Sequence, residues 1–236
     1  MSNPHEWLRA PRELPSAFRQ PSHVTVCSPP TLSDTEPAPL LWVHDGPAYD
    51  AQAGLLEWLA TRDLPPMRVV LADVRRRTQW YSASPRYLRT FTTGLSAIQE
   101  SYPVRRPVIV MGASLGGLTS VLAGLSDDRV GAVFAQSGSF FTPETDAQES
   151  NFAYFDRIAA AVADVTGTGL RAAPLRVELT CGSSEENLHN NRLMAQTLDG
   201  VGVEAVLTEV AGGHDYSSWR TAFDPTLTAL LRDVWS

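Results

Sequence analysis

Short apolar runs alternate along this chain with longer segments whose apolar residues recur at helical spacing. The short runs predict strands, at 23–27, 40–43, 67–74, 107–112, 130–138, 175–182 and 204–213. The longer segments predict amphipathic helices, at 53–63, 87–102, 118–128, 154–167 and 190–202. This alternation is typical of an α/β fold: a mostly parallel sheet with helices on both faces.

The length of the chain fits one domain of this kind. Its 236 residues fall within the range that α/β folds occupy as a single unit. No second boundary is visible, so we expect one domain over 1–236, with 1–22 as an N-terminal extension and no separate N-terminal domain.

Composition narrows the possible chemistry. The formal net charge of −7 argues against nucleic acid or anionic lipid as a partner. All 19 basic residues are arginine, and without lysine the chain cannot form a Schiff base, anchor pyridoxal phosphate or build a Ser-Lys dyad.

Neither a metal nor another cofactor is expected. Cys27 and Cys181 lie far apart without metal-ligand spacing, so they predict neither a zinc site nor a disulfide framework. The sequence shows no signal-peptide pattern and no run of 18 apolar residues, which predicts a cytoplasmic protein without a membrane span.

One glycine-framed serine follows a buried run. Gly112, Ser114 and Gly116 form the G-x-S-x-G pattern of a nucleophile elbow, a sharp strand-to-helix turn that exposes a hydroxyl. Three fixed positions match by chance roughly 0.1 times in a chain of this size, so the context must decide.

The context supplies a base and an acid in the expected chain order. His214 follows the last predicted strand in a glycine-framed loop, and Glu185 and Glu186 follow the strand before it. Such loops meet at the carboxyl edge of a parallel sheet. We expect Ser114 as nucleophile, His214 as base and Glu185 as acid, with Glu186 or Asp215 as alternative acids.

Several stretches together resemble a known family. They are LLWVHDGPAYD, GASLGGLTSVLAGLSDDRVGAVFAQSGSF, CGSSEEN followed by NRLMAQTL, and GGHDYSSWR. In this order they are similar to the enterochelin (enterobactin) esterase branch of the esterase D-like esterases. The resemblance runs from about residue 38 to the end. It implies an α/β-hydrolase fold and a serine esterase, in that branch acting on the trilactone of ferric catecholate siderophores, with the same three residues as triad.

The oxyanion hole departs from the family pattern. Its first donor should be the Leu115 amide, directly after the nucleophile. Relatives often use the residue after Asp-Gly for the second, but here that residue is Pro47, which has no N–H. We therefore expect a shifted donor, with Gly46 as first choice and Ala48 as an alternative.

A basic run bears on the substrate. Arg75, Arg76 and Arg77 follow the strand at 67–74, where they would attract an anionic ligand such as a ferric tris-catecholate, and Trp80 could stack on its rings. Structural ion pairs and simple packing are the competing interpretations.

Other functions share these motifs. They are a general short-acyl esterase, a polysaccharide-linked ester hydrolase, an acyltransferase, and a non-catalytic binding protein damaged at Pro47. The expected partner is a small-molecule ester, and the chain would act as a monomer or homodimer. Whether residues 140–156 cover Ser114 as a lid is left open by the sequence.

Overall fold

The computed structural model describes residues 6–167 and 173–236. In this part of the chain eight strands form one sheet: β1 (Leu8–Leu14), β2 (Ser22–Ser28), β3 (Leu40–His44), β4 (Arg68–Asp73), β5 (Val108–Ala113), β6 (Val130–Gln136), β7 (Arg176–Gly182) and β8 (Glu204–Val210). The α-helices are α1 (Gly46–Ala53), α2 (Leu55–Ala60), α3 (Arg77–Tyr81), α4 (Pro85–Ser101), α5 (Leu115–Ser126), α6 (Phe155–Asp164), α7 (Leu188–Gly200), α8 (Tyr216–Thr221) and α9 (Thr228–Trp235). Two 3₁₀ turns, Ala147–Glu149 and Val165–Gly167, and a kinked π-helical turn, Phe223–Leu227, complete the described elements.

The strand order is β1-β2-β4-β3-β5-β6-β7-β8. The first two strands run antiparallel to their neighbours, and β4, β3, β5, β6, β7 and β8 are mutually parallel. Order and direction together define the α/β-hydrolase fold, as expected.

The N-terminal extension contributes a strand that the pattern does not predict. β1 pairs along its whole length with β2, from Leu8 opposite Ser28 to Leu14 opposite Ser22. Only Leu14 in it is buried. An edge strand exposed along most of its length has no need of alternating apolar residues, so it leaves little hydrophobic signal.

The core lies on both faces of the sheet because successive side chains of a strand point to opposite sides. In β3, Leu40 and Trp42 pack on the face covered by α4, α5, α6 and α7, whereas Leu41 and Val43 pack on the face covered by α1, α2, α8 and α9. Strands buried on both faces are apolar throughout, which is why the central strands were readily predicted.

The parallel strands end at one edge, and this arrangement gathers the polar side chains of interest. Ser114 follows β5, Ser137 follows β6, Glu185 comes three residues after β7, and His214 comes four after β8. None of the helices in the described residues is long and apolar enough to cross a membrane.

Candidate active site

The elbow holds Ser114 in a backbone conformation that few residues adopt. Ser114 stands between the last residue of β5 and the first residue of α5, and its backbone has a φ of 56° and a ψ of −123°. A side chain on Gly112 would place its Cβ 2.6 Å from the carbonyl of Gly116. Glycine at 112 is therefore needed for the strand and helix to approach this closely.

The turn after β6 fixes the elbow from the side. The amide of Ser114 donates to Gln136 O at 2.9 Å, and the amide of Ser139 donates to Ser114 O at 3.2 Å. The hydroxyls of Ser114 and Ser139 lie 3.3 Å apart. Within the described residues Ser114 Oγ makes no hydrogen bond to His214, an arrangement common in sites without substrate.

His214 and Glu185 form a direct pair. His214 Nδ1 lies 2.7 Å from Glu185 Oε2, and the carboxylate side chain is 2% exposed while the imidazole is 45% exposed. A carboxylate on Nδ1 favours the tautomer whose Nε2 can accept a proton. Both residues line the same cavity as Ser114.

The second oxygen of Glu185 is also held. Oε1 accepts hydrogen bonds from the Ser137 hydroxyl at 2.6 Å and from the Gly182 amide at 2.8 Å. Burial raises the pKa of Glu185, but the hydrogen bonds from His214, Ser137 and Gly182 outweigh it and hold the pKa below its ordinary value. The carboxylate is therefore ionised at neutral pH.

Neither alternative acid contacts the imidazole. Glu186 is exposed and lines the cavity without a contact to His214. Asp215 turns to its own helix, where its carboxylate accepts from the Ser217 and Ser218 amides and caps α8. Of the three acids considered, Glu185 is the one placed against His214.

Arg77 is the one residue of the basic run at the cavity. Its Nε donates to Asp45 Oδ2 at 2.7 Å, and its Nη2 donates to Ala113 O at 3.3 Å, directly before the nucleophile. Arg75 and Arg76 are exposed on the loop before α3 and do not line the cavity. The expected cluster of three arginines facing substrate is thus reduced to one, and Asp45 pairs with it.

Trp80 is placed differently from the expectation. It is 4% exposed and stacks on Phe18 with ring centroids 4.1 Å apart and an interplanar angle of 6°. The amphipathic turn of α3 directs Trp80 into the core while Arg77 faces the cavity. The prediction of Trp80 as a substrate-binding residue is therefore wrong, and its role is packing.

The two expected oxyanion donors differ in placement. Leu115 opens α5 and lines the cavity, and an amide in the first turn of a helix has no acceptor within that helix. Gly46 is absent from the cavity lining and packs so tightly on β4 that a Cβ would lie 2.4 Å from Leu71 Cα. The Ala48 amide already donates to Asp45 O. Of the three amides, only that of Leu115 is well placed.

The cavity has a volume of about 570 Å³. The segment at 140–156 forms part of its wall, through Phe141, Glu149 and Phe152. Phe141 and Phe152 meet edge to face with centroids 6.1 Å apart. The wall therefore offers aromatic contact beside the nucleophile.

Sequence reasoning assigned no role to Ser137 and Ser139, although both belong to the QSGSF stretch that carries the family resemblance. The signal that could have found them is their position, directly after β6 at the edge where ligands of such sheets bind. Trp219 contacts one of these two serines, because its Nε1 donates a hydrogen bond to Ser137 Oγ at 2.8 Å.

Metal-binding groups are not evident at this edge. Within 6–167 and 173–236, no cluster of three or more His, Cys, Asp or Glu side chains could hold a metal ion. His44 is fully buried, and its Nδ1 forms a hydrogen bond of 2.9 Å with Ser120 Oγ. Burial lowers the pKa of its imidazole to about 3. It is a neutral core residue and lies apart from the Glu185–His214 pair.

The fold is that of the α/β hydrolases, and the site brings a serine, a histidine and a glutamate to one cavity at the edge of the sheet. A model of the family described as "Putative esterase" matches residues 16–230. The chain belongs to this family. No protein with a curated description matches its sequence significantly.

Solved structures show the same fold at low identity. An enterobactin esterase from Shigella flexneri has a TM-score of 0.77 and 20% identity, covering 98% of this chain and 61% of that chain. A ferulic acid esterase has a TM-score of 0.73 and 19% identity, covering 96% and 98%. An S-formylglutathione hydrolase from Staphylococcus aureus has a TM-score of 0.70 and 15% identity, covering 96% of each. The chain spans about three fifths of the first of these proteins.

Proposed function

We propose that this protein is a carboxylic ester hydrolase that works through an acyl-enzyme on Ser114, with His214 as base and Glu185 as its acid partner. The observation that supports this most is the 2.7 Å hydrogen bond between His214 Nδ1 and Glu185 Oε2 beside an elbow serine in one cavity. Ser114 Oγ lies 3.3 Å from Ser139 Oγ, and the proposed mechanism requires it to turn from there toward His214 Nε2.

The reaction has two balanced steps. Ser114 Oγ attacks the ester carbonyl carbon while its proton passes to His214 Nε2; the ester C–O bond then breaks, and the alcohol leaves with that proton. Water attacks the acyl-enzyme, gives a proton to His214, and releases the carboxylic acid as Ser114 recovers its hydrogen. The ionised Glu185 stabilises the imidazolium in both steps.

The developing oxyanion needs donors on the elbow side of the cavity. The Leu115 amide supplies the first, at the positive end of α5. Arg77 is our candidate for the second, because it lines the same cavity as Leu115 and donates through Nη2 to Ala113 O, directly before the nucleophile. A side-chain donor of this kind would compensate for the missing N–H of Pro47.

The substrate we propose is a bulky ester with an aromatic group, held against Phe141 and Phe152. A catecholate trilactone of the enterobactin type is the first candidate, since the sequence resemblance and the fold similarity to an enterobactin esterase both suggest it. Glu149 and Glu186 also line the cavity, without a cationic partner among the described residues, while Arg77 is paired with Asp45. This charge balance favours the iron-free trilactone over its highly anionic ferric complex.

Hydrolysis of p-nitrophenyl butyrate by two serine variants tests the mechanism. Ser114→Ala should abolish turnover, whereas Ser139→Ala should retain a readily measured rate, although the two hydroxyls are neighbours. Full activity in Ser114→Ala, or complete loss in Ser139→Ala alone, would contradict the assignment of the nucleophile.

A further inference from the structure

The end of β6 and the turn after it contact Ser114, Glu185 and α8, the helix that follows His214. Besides the two backbone hydrogen bonds to Ser114, its Gln136 side chain donates to Trp219 O at 2.9 Å, in the helix that follows His214. Ser137 in the same turn donates its hydroxyl proton to Glu185. Residues 136–139 thus connect the elbow, the loop that carries Glu185 and α8.

Ser137 has an unusual backbone for its residue type. Its φ of 48° lies in the left-handed region, which non-glycine residues enter at a cost. The Ser137 amide donates to Thr180 O at 2.6 Å, and the Asn187 amide group donates to Ser137 O at 2.9 Å. The conformation is therefore held by neighbours on both sides, and it directs the hydroxyl toward Glu185.

The direction of the hydrogen bonds at Ser137 is fixed by the chemistry of its two partners. An indole N–H can only donate and a carboxylate can only accept. Ser137 Oγ therefore accepts from Trp219 Nε1 at 2.8 Å and donates to Glu185 Oε1 at 2.6 Å. The Trp219 ring also meets the His214 ring edge to face, with centroids 5.2 Å apart and an interplanar angle of 79°.

We propose that Ser137 and Trp219 are positioning residues of this hydrolase: the Ser137 hydroxyl, oriented by the Trp219 indole, holds the Glu185 carboxylate so that its other oxygen faces His214. The inference rests on the proposed function of Glu185 and His214. Neither residue lines the cavity; both act by limiting the rotation of the carboxylate and the imidazole. A charge-assisted hydrogen bond of this kind is among the stronger ones in proteins.

Kinetics of three variants test the proposal on p-nitrophenyl butyrate. Ser137→Ala and Ser137→Gly should lower kcat by about 10- to 100-fold with KM unchanged. Trp219→Phe, which keeps a ring against His214 but removes the N–H, should lower kcat in the same way. Glycine tolerates positive φ, so Ser137→Gly provides a folded protein even if alanine strains the turn.

Two controls lie at the opposite edge of the sheet. Ser28→Ala changes another buried serine, and Trp235→Phe removes an indole N–H that donates to Pro107 O. Both should match the parent in kcat. A parent-like kcat in Ser137→Gly would overturn the proposal, because it would show that the hydroxyl is dispensable.

A double-mutant cycle with Glu185→Ala separates positioning from general structure. If Ser137 acts through Glu185, Ser137→Ala should cause no further loss of kcat once the carboxylate is absent. An undiminished second loss in the Glu185→Ala background would overturn the proposal. If Ser114→Ala remained active the proposed function itself would fail, whereas an inactive Ser114→Ala with a normal Ser137→Ala refutes only this inference.

Discussion

Glu185 Oε2 and His214 Nδ1 are 2.7 Å apart, yet the carboxylate side chain is 2% exposed and the imidazole 45% exposed. The acid is fixed inside the protein, while the base presents its free edge to the cavity. This asymmetry suits a base that must exchange protons with substrate and water and an acid that orients the base and stabilises its imidazolium form.

Replacing Glu185 with glutamine should lower kcat by about 10³- to 10⁴-fold, because an amide cannot stabilise the imidazolium as a carboxylate does. Steady-state hydrolysis of p-nitrophenyl butyrate measures the effect. Glu186→Gln is the matched control, since that side chain lines the cavity without touching His214. Equal losses in the two variants would contradict the assignment of the acid.

Arg77→Gln should lower kcat/KM by about 100-fold or more, because it removes a candidate oxyanion donor and the partner of Asp45. Arg76→Gln, one residue earlier on the loop that leads into α3 and outside the cavity, should match the parent. If all variants are assayed on one uncharged ester, a difference in kcat/KM cannot come from attraction between Arg77 and a charged substrate. If Arg77→Gln retains the parent kcat/KM, the oxyanion donor must lie elsewhere.

Much of the fold could be predicted because the central strands are apolar on both faces, as Val108 to Ala113 illustrate. β1 was missed because most of its side chains face solvent. α1 was missed because its sequence, GPAYDAQA, begins with glycine and proline and carries few apolar residues. The pattern of hydrophobic residues in a sequence reflects which side chains become buried, so an element with few buried side chains shows only a weak pattern.

The residues of the site also differ in how far the sequence predicts them. Ser114, Glu185 and His214 follow strand ends, and the shared edge of a parallel sheet brings such positions together without further information. The direction of a side chain within a short helix is a different matter: Arg77 and Trp80, three residues apart, point to the cavity and to the core. Ser137 depends on a left-handed turn that sequence spacing does not reveal.

Gly112→Ala should destabilise the protein by about 1–3 kcal/mol, because the added Cβ would collide with the backbone of Gly116 in the elbow. Chemical denaturation measures the free energy of unfolding. Gly200→Ala is the control: its Cβ would meet nothing within 4 Å at the end of α7, so it should be neutral or slightly stabilising. Comparable destabilisation at both positions would show that the elbow is not specially tight.

Asp215→Ala should lower Tm at neutral pH, because the carboxylate caps α8, the helix that carries Trp219. Hydrogen bonds from Ser217 and Ser218 lower the pKa of Asp215 from 3.8 to about 2. Because the pKa of Asp215 is lower in the folded protein than in the unfolded chain, its carboxylate stabilises the fold at pH values above the ordinary pKa. This stabilisation is lost as the pH falls through the pKa of the folded state. The Tm difference from the parent should therefore be constant above about pH 4 and shrink toward pH 2.

Asp215→Asn provides the matched comparison for that experiment, because asparagine also caps helices well but does not titrate. It should retain more of the parent Tm at neutral pH than alanine does. A Tm difference for Asp215→Ala that persists undiminished at pH 2 would show that the carboxylate charge contributes nothing to the cap.

Covalent labelling identifies the nucleophile of this site. The protein is treated with a fluorophosphonate, digested, and the modified residue is located by tandem mass spectrometry. We expect a single adduct on Ser114, absent in Ser114→Ala and formed more slowly in Glu185→Gln. An adduct on Ser139, or labelling that persists in Ser114→Ala, would contradict it.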